Sequence, residues 1–329
     1  MSHRYLVALL MLICGSAQAD FKDVLDMPAL MTPLAKSSPL QAIAHAGKRL
    51  VAVGGRGHIL ISDDQGASWT QVPVPVSSDL TAVSFADAEY GWAVGHDGIV
   101  LATGDGGLHW KKQMDGKEAG RLMAQSYNDR EAGQYEAEGA DKPFLDVWFA
   151  DRDHGYVVGA FNLIFKTEDG GRSWRPLFDR TENPQRLHLY AIQPAGDQLF
   201  IAGEGGLLLK SKLGADDFKP VKLPYDGSLF GLCSDGRSLV VFGLRGNLFR
   251  SPDLGASWSK VETNERSALV GAADGDGRMM VVAQSGALLL SSDGYQTFQR
   301  LTLPMPLNGV AETEDRRLVL VGFRGVVLQ

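Results

Sequence analysis

Segments of roughly five or six residues built on short apolar runs recur along the whole chain, divided by clusters of Gly, Asp and Asn. Leu50-Val51-Ala52-Val53 and Leu239-Val240-Val241-Phe242 are typical. Runs of this length, ended by turn-forming residues, predict short β-strands rather than helices. A helix would need a longer segment with a 3.6-residue period.

The runs are organised in a repeat. A glycine closes one strand, a short turn and a second strand follow, then a Ser/Thr-x-Asp turn and an aromatic residue. Copies run from Gly54 to Trp69, Gly95 to Trp110, Gly159 to Trp174, Gly203 to Phe218, Gly243 to Trp258 and Ala283 to Phe298. A truncated seventh runs from Gly322 to Gln329. A period of about 40 residues with four short strands per unit predicts an all-β, seven-bladed β-propeller. One interval is long because residues 114–142 are inserted between blades two and three. Residues 20–329 then form a single propeller. Blade seven has candidate strands near Leu307–Val310, Arg317–Val321 and Val326–Gln329 but no outer strand. Phe21–Leu25 is expected to supply it and to seal the ring, since closure removes an open sheet edge.

Ser62-x-Asp64-x-Gly66-x-Ser68-Trp69 resembles the Asp-box, or bacterial neuraminidase repeat. The copies place Asp64, Asp105, Asp169, Asp253 and Asp293 in turns, followed by Trp69, Trp110, Trp174, Trp258 and Phe298. A carboxylate here accepts main-chain N–H bonds within the turn, and the aromatic packs between sheets. These residues are read as structural. The fourth copy, Ser211 to Phe218, lacks the Asp and Gly at their box positions and is expected to turn more loosely.

Ahead of the repeats, Arg4, the apolar run Tyr5–Ile13 and Ala17-Gln18-Ala19 form a secretory signal peptide over residues 1–19. Cys14 offers a lipidation alternative, disfavoured by Ile13 in front of it. No later stretch is apolar enough over ~20 residues to cross a bilayer, so the mature chain is expected in the periplasm, as a monomer. The full chain's formal charge of −7 argues against nucleic acid as a general partner. Cleavage leaves Cys233 as the sole cysteine, which excludes an intrachain disulfide.

Chemistry is sparse. His3, His45, His58, His96, His109, His154 and His188 show no paired ligand spacing, so neither a metal nor a cofactor is expected. The turns between second and third strands share one face with the links between blades. They carry Arg56, Asp97, Phe161, Gly205, Arg245, Ser285 and Arg324 at the equivalent position. Arg56, Arg245 and Arg324 make this rim a candidate dock for carboxylates. The insertion emerges on the same face. It adds Arg121 and Arg130, with Leu122, Met123, Tyr127, Tyr135, Glu136 and Glu138, and a short-helix pattern over Leu122–Ala132. Asp-boxes also occur in sialidases, which makes a carbohydrate-active or carbohydrate-binding propeller the alternative. However, the three arginines occupy repeat-equivalent turns, the Arg-Ile-Pro motif of sialidases is absent, and no carboxyl pair stands out from the repeat.

Over the mature chain the sequence resembles the photosystem II stability and assembly factor family. The resemblance is carried by Tyr90-Gly91-Trp92-Ala93-Val94-Gly95, Gly98–Thr103 and His154-Gly155-Tyr156-Val157-Val158-Gly159, and by the cadence at Phe85–Gly95 and Phe149–Gly159. It implies a seven-bladed propeller with an interblade insertion and an arginine patch. It also implies a non-enzymatic assembly factor in photosynthesis that binds a membrane protein or complex subunit.

Overall fold

A computed structural model describes residues 22–127, 130–275 and 277–329. Seven antiparallel meanders stand around a central axis. Their inner strands are Leu40–Ala46, Leu80–Phe85, Phe144–Phe149, Leu189–Ala195, Leu229–Ser234, Leu269–Gly275 and Leu307–Glu312. Each packs beside the next, and the seventh packs beside the first. Among the described residues, six blades have four strands and blade seven has three. Outer strands are short, down to the two-residue Arg175–Pro176, Lys219–Pro220 and Ser259–Lys260, which leaves little free edge for unwanted pairing.

The core lies between blades. Val51, Val53, Ala93 and Leu101 are fully buried at the first boundary, and Val94, Phe144, Val157 and Phe165 at the second. Trp92 stacks on Phe149 with ring centroids 3.4 Å apart. One glycine of the repeat is enforced by close approach. A Cβ on Gly54 would lie 2.3 Å from the Pro39 carbonyl oxygen, and one on Gly95 would lie 2.1 Å from that of Asp79. Only a glycine lets the second strand end against the entry of the inner strand.

The start of the chain departs from expectation. Residues 22–25 do not pair with Gly325–Leu328, and blade seven has three strands among the described residues. Leu25, 2% exposed, is instead buried with Val72, Val74, Val76, Ile99 and Leu101 at blades one and two. Ser77 N donates to the Val24 carbonyl over 2.9 Å, Lys112 Nζ to that of Leu25 over 3.1 Å, and Lys117 pairs with Asp23 at 2.8 Å. A leucine at a sheet edge is half-wetted. Full burial of a leucine is worth ~1.5–3 kcal/mol over leaving it exposed, and the cleft captures more of this than an edge position would. The chain then follows the outer strand of blade one, where Ala29 N donates to the Val74 carbonyl. It reaches blade seven only as a single turn, Ala35–Ser37, against Gly325. Side-chain packing closes the ring, with Ala35, Leu40, Ala52, Leu60 and Val321 buried together. Phe21, the signal-peptide residues and Cys14 lie outside the described residues.

The insertion forms two helices, α1 (Gly116–Ser126) and α2 (Arg130–Glu138), where one helix over Leu122–Ala132 was expected. Asp115 starts α1 early. Its carboxylate accepts from Lys117 N and Glu118 N at 3.1 Å, and Glu118 at the third helical position completes the sequence signature of a capping box. No helix among the described residues is long and apolar enough to cross a membrane.

Candidate functional site

Every inner strand begins with a β-bulge, between Leu40 and Ala42 in blade one and at the matching place in the other six. A bulge re-aims the extra residue. Here it turns Gln41, Thr81, Leu145, Tyr190, Phe230, Val270 and Asn308 into a ring at the mouth of the central channel, around a cavity of about 190 Å³. The ring has two halves. Blades seven, one and two contribute polar Asn308, Gln41 and Thr81; blades three to six contribute Leu145, Tyr190, Phe230 and Val270. Asp146 lines the channel with them. Burial pushes its carboxyl up to about 7, although Ile192 N and Val147 N both donate to it at 2.8 Å.

The second-to-third turns open on this same face. Gly55 N donates to the Pro39 carbonyl, and Arg56 N to Asp79 Oδ1, so the turn rests on the entries to blades one and two. Arg56 and Arg245 hold φ of 57° and 58°. This left-handed conformation costs a non-glycine residue ~1–2 kcal/mol. Blade four uses Gly205 at the equivalent place. Both arginines are exposed, as is Arg324, and their guanidiniums form no ion pair with another described residue. Arg324 and Arg56 stand on neighbouring blades. Arg245 is two blades from Arg324, with exposed Leu244 beside it and Phe323 beside Arg324. By contrast, Arg121 is held by Glu118 over 2.8 Å within α1. Arg130 opens α2, and its side chain falls outside the described residues.

Phe161 is the turn residue of blade three. It too is left-handed, at φ 53°, and its ring is 48% exposed. His188 Nδ1 accepts its N–H at 2.9 Å, and Tyr135 Oη of α2 donates to its carbonyl over 2.7 Å. The insertion is thereby pinned to the rim. Phe161 also borders a cavity of about 350 Å³ shared with Tyr135, Lys142 and Arg186. The sequence singles out none of the bulge residues, and it names His188 only as a histidine without ligand spacing. The signal for the ring is the second residue of each inner strand, aligned across the repeat.

On the opposite face the Asp-box carboxylates knit their turns. Asp64 accepts from Ser62 Oγ, Ser68 N and Ser68 Oγ, and these bonds lower its carboxyl to about 2. The same turn bonds occur at Asp105, Asp169, Asp253 and Asp293. Trp69, Trp110, Trp174, Trp258 and Phe298 are buried or half-buried between blades. In the fourth copy, Asp216 reaches out of the turn to Tyr156 Oη (2.6 Å), Lys166 Nζ (2.9 Å) and Arg175 (3.0 Å) of blade three. Burial would raise its carboxyl, but these donors win and lower it. No group of three or more His, Cys, Asp or Glu among the described residues is placed to hold a metal.

The fold and the turn face define an Asp-box propeller with three exposed arginines and exposed apolar residues on that face. Comparison with known proteins sharpens the class. The family profile described as "Photosynthesis system II assembly factor YCF48" matches residues 62–133 and 134–259. The chain belongs to that family. A photosystem II assembly lipoprotein Ycf48 of Synechococcus sp. (strain CC9902) is 31% identical over 130 residues, a segment spanning 38% of each protein. One of Picosynechococcus sp. (strain ATCC 27264 / PCC 7002 / PR-6) is 23% identical over 91% of this chain and 96% of its own length. Among solved structures, "YCF48 bound to D1 peptide" superposes with a TM-score of 0.67 at 17% identity, covering 90% of this chain and 94% of that one.

Proposed function

We propose that this chain is an exported, non-enzymatic assembly factor, acting in the periplasm as a monomer. Its arginine rim docks an acidic, extended segment of a membrane protein or complex subunit. One observation carries the reading: Arg56 and Arg245 are kept in a backbone conformation that favours glycine, with exposed and unneutralised guanidiniums. Strain of this kind clusters at functional sites, and the same left-handed turn also presents Asp97 and Phe161 on this face. Guanidinium forks facing solvent on an acidic protein match carboxylates through paired N–H donors. The family assignment supports the assembly role. The YCF48 structure bound to a D1 peptide supports a peptide as the ligand type.

The test is capture of partners from detergent-solubilised membranes of the host by the tagged protein and by the triple variant R56E/R245E/R324E. A membrane subunit recovered with the wild type and lost with the variant supports the reading. Equal recovery by both contradicts it.

A further inference from the structure

We infer that the docking face has a second, apolar subsite. It is an aromatic ladder in blades three to five that takes one aliphatic side chain of the bound acidic segment. This inference rests on the arginine-rim reading for its occupant but on separate residues for its evidence. Phe161 meets His188 edge-on at 4.6 Å and 85°; His188 meets Tyr190 at 6.0 Å; Tyr190 meets Phe230 at 5.2 Å. The row leads from the rim turn of blade three to the bulge ring at the channel mouth. It ends in blade five, whose own turn carries Arg245.

Three features argue for a ligand rather than for packing. First, Phe161 is 48% exposed, so its ring contributes little to the core. Second, it occupies the left-handed position that Gly205 fills in blade four, and two hydrogen bonds hold it there. Third, Tyr190 and Phe230 of the ladder belong to the apolar half of the channel mouth, and the arginines of blades seven and one flank the polar half. A peptide lying across the mouth meets both. The occupant is therefore an acidic segment with an isolated leucine-like residue. The carboxylates match the guanidiniums, and the aliphatic group replaces water on the aromatic edge, as at interface anchors.

Phe161→Gly is the diagnostic variant, because φ 53° suits glycine and the two hydrogen bonds at this residue use only its main chain. Fluorescence anisotropy compares two labelled glutamate-rich peptides, one with a central leucine and one with serine there. On the wild type the leucine peptide binds about tenfold more tightly, within the range for one aliphatic group in an apolar pocket. Phe161→Gly abolishes that ratio and leaves the serine peptide's affinity and salt dependence unchanged. R56E/R245E/R324E weakens both peptides and preserves the ratio. A second arm uses the neutral probe N-acetylleucine amide in saturation-transfer NMR. Its methyl groups receive saturation from the wild type and not from Phe161→Gly. Loss of peptide binding with retained transfer sinks the arginine rim alone. Equal peptide affinities on the wild type, a ratio that survives Phe161→Gly, or absent transfer overturns the ladder.

Discussion

Asn308 Nδ2 donates over 2.9 Å to the main-chain carbonyl of Leu40, joining the last blade to the first residue of the first inner strand. Thr81 makes the same connection two boundaries on, from the bulge of blade two to the Phe144 carbonyl of blade three at 2.8 Å. In both places the bulge that shapes the channel mouth also staples adjacent blades.

Replacing Asn308 with leucine tests the staple at ring closure. Leu145 shows that an apolar side chain is accommodated at a bulge. Asn308→Leu therefore mainly orphans the Leu40 carbonyl, at a cost of about 1–2 kcal/mol. The urea midpoint should fall accordingly, with the slope unchanged. An unchanged midpoint would show that hydrophobic packing alone closes the ring.

Arg56→Gly and Arg245→Gly should each raise stability by about 0.5–1 kcal/mol, because glycine relieves the left-handed turn, partly offset by added unfolded-state entropy. The same variants should weaken binding of an acidic peptide. Destabilisation of either variant in chemical denaturation would show that the arginine holds the turn rather than serving a partner.

Leu25→Ala should cost about 2–4 kcal/mol, the range for a large buried aliphatic group. Amide exchange should rise over residues 22–29 and at Ser77, not along Gly325–Leu328. Deprotection of blade seven instead would restore the sheet-closing role first expected of Phe21–Leu25.

Two sets of carboxyl groups give stability opposite pH slopes. Asp146 has a folded pKa raised to about 7, so the native state binds the extra proton, and stability declines as pH rises from about 4 to 7. Asp64 and Asp253 are depressed to about 2 by their turn hydrogen bonds, led by Ser68 and Ser257. Their contribution is present above about pH 4 and is lost as pH falls towards 2. Stability should therefore peak near pH 4–5 as far as these groups determine it. Asp146→Asn should flatten the neutral limb, and Asp253→Asn should soften the acid limb. Denaturant midpoints measured from pH 3 to 8 check both.

The blade count was legible because the repeat is written in local turn chemistry: Asp64, Gly66 and Trp69 act within a few residues of one another. The rim arginines were legible for the same reason, since strand order alone puts their turns on one face. The path of Val24-Leu25 was not, because an apolar pair reads alike as an edge strand or as a strap. Only the three-dimensional cleft beside Val74 and Ile99 decides. The bulge ring was hidden in another way. One extra residue per strand leaves the apolar alternation almost undisturbed while rotating Tyr190 and Phe230 into the channel mouth. The role of Asp216 lay outside the turn pattern, because its bonds to Tyr156 and Lys166 lie in the neighbouring blade.

The most direct test of the central claim is site-specific photo-crosslinking in the host. Benzoylphenylalanine replaces Phe323 or Ser285 on the arginine face, or Ala256 or Gln296 on the Asp-box face. The account predicts a crosslink to a membrane-protein subunit from positions 323 and 285, abolished by R56E/R245E/R324E, and none from 256 or 296. Crosslinks from the Asp-box face, or rim crosslinks that survive the charge reversal, would contradict it.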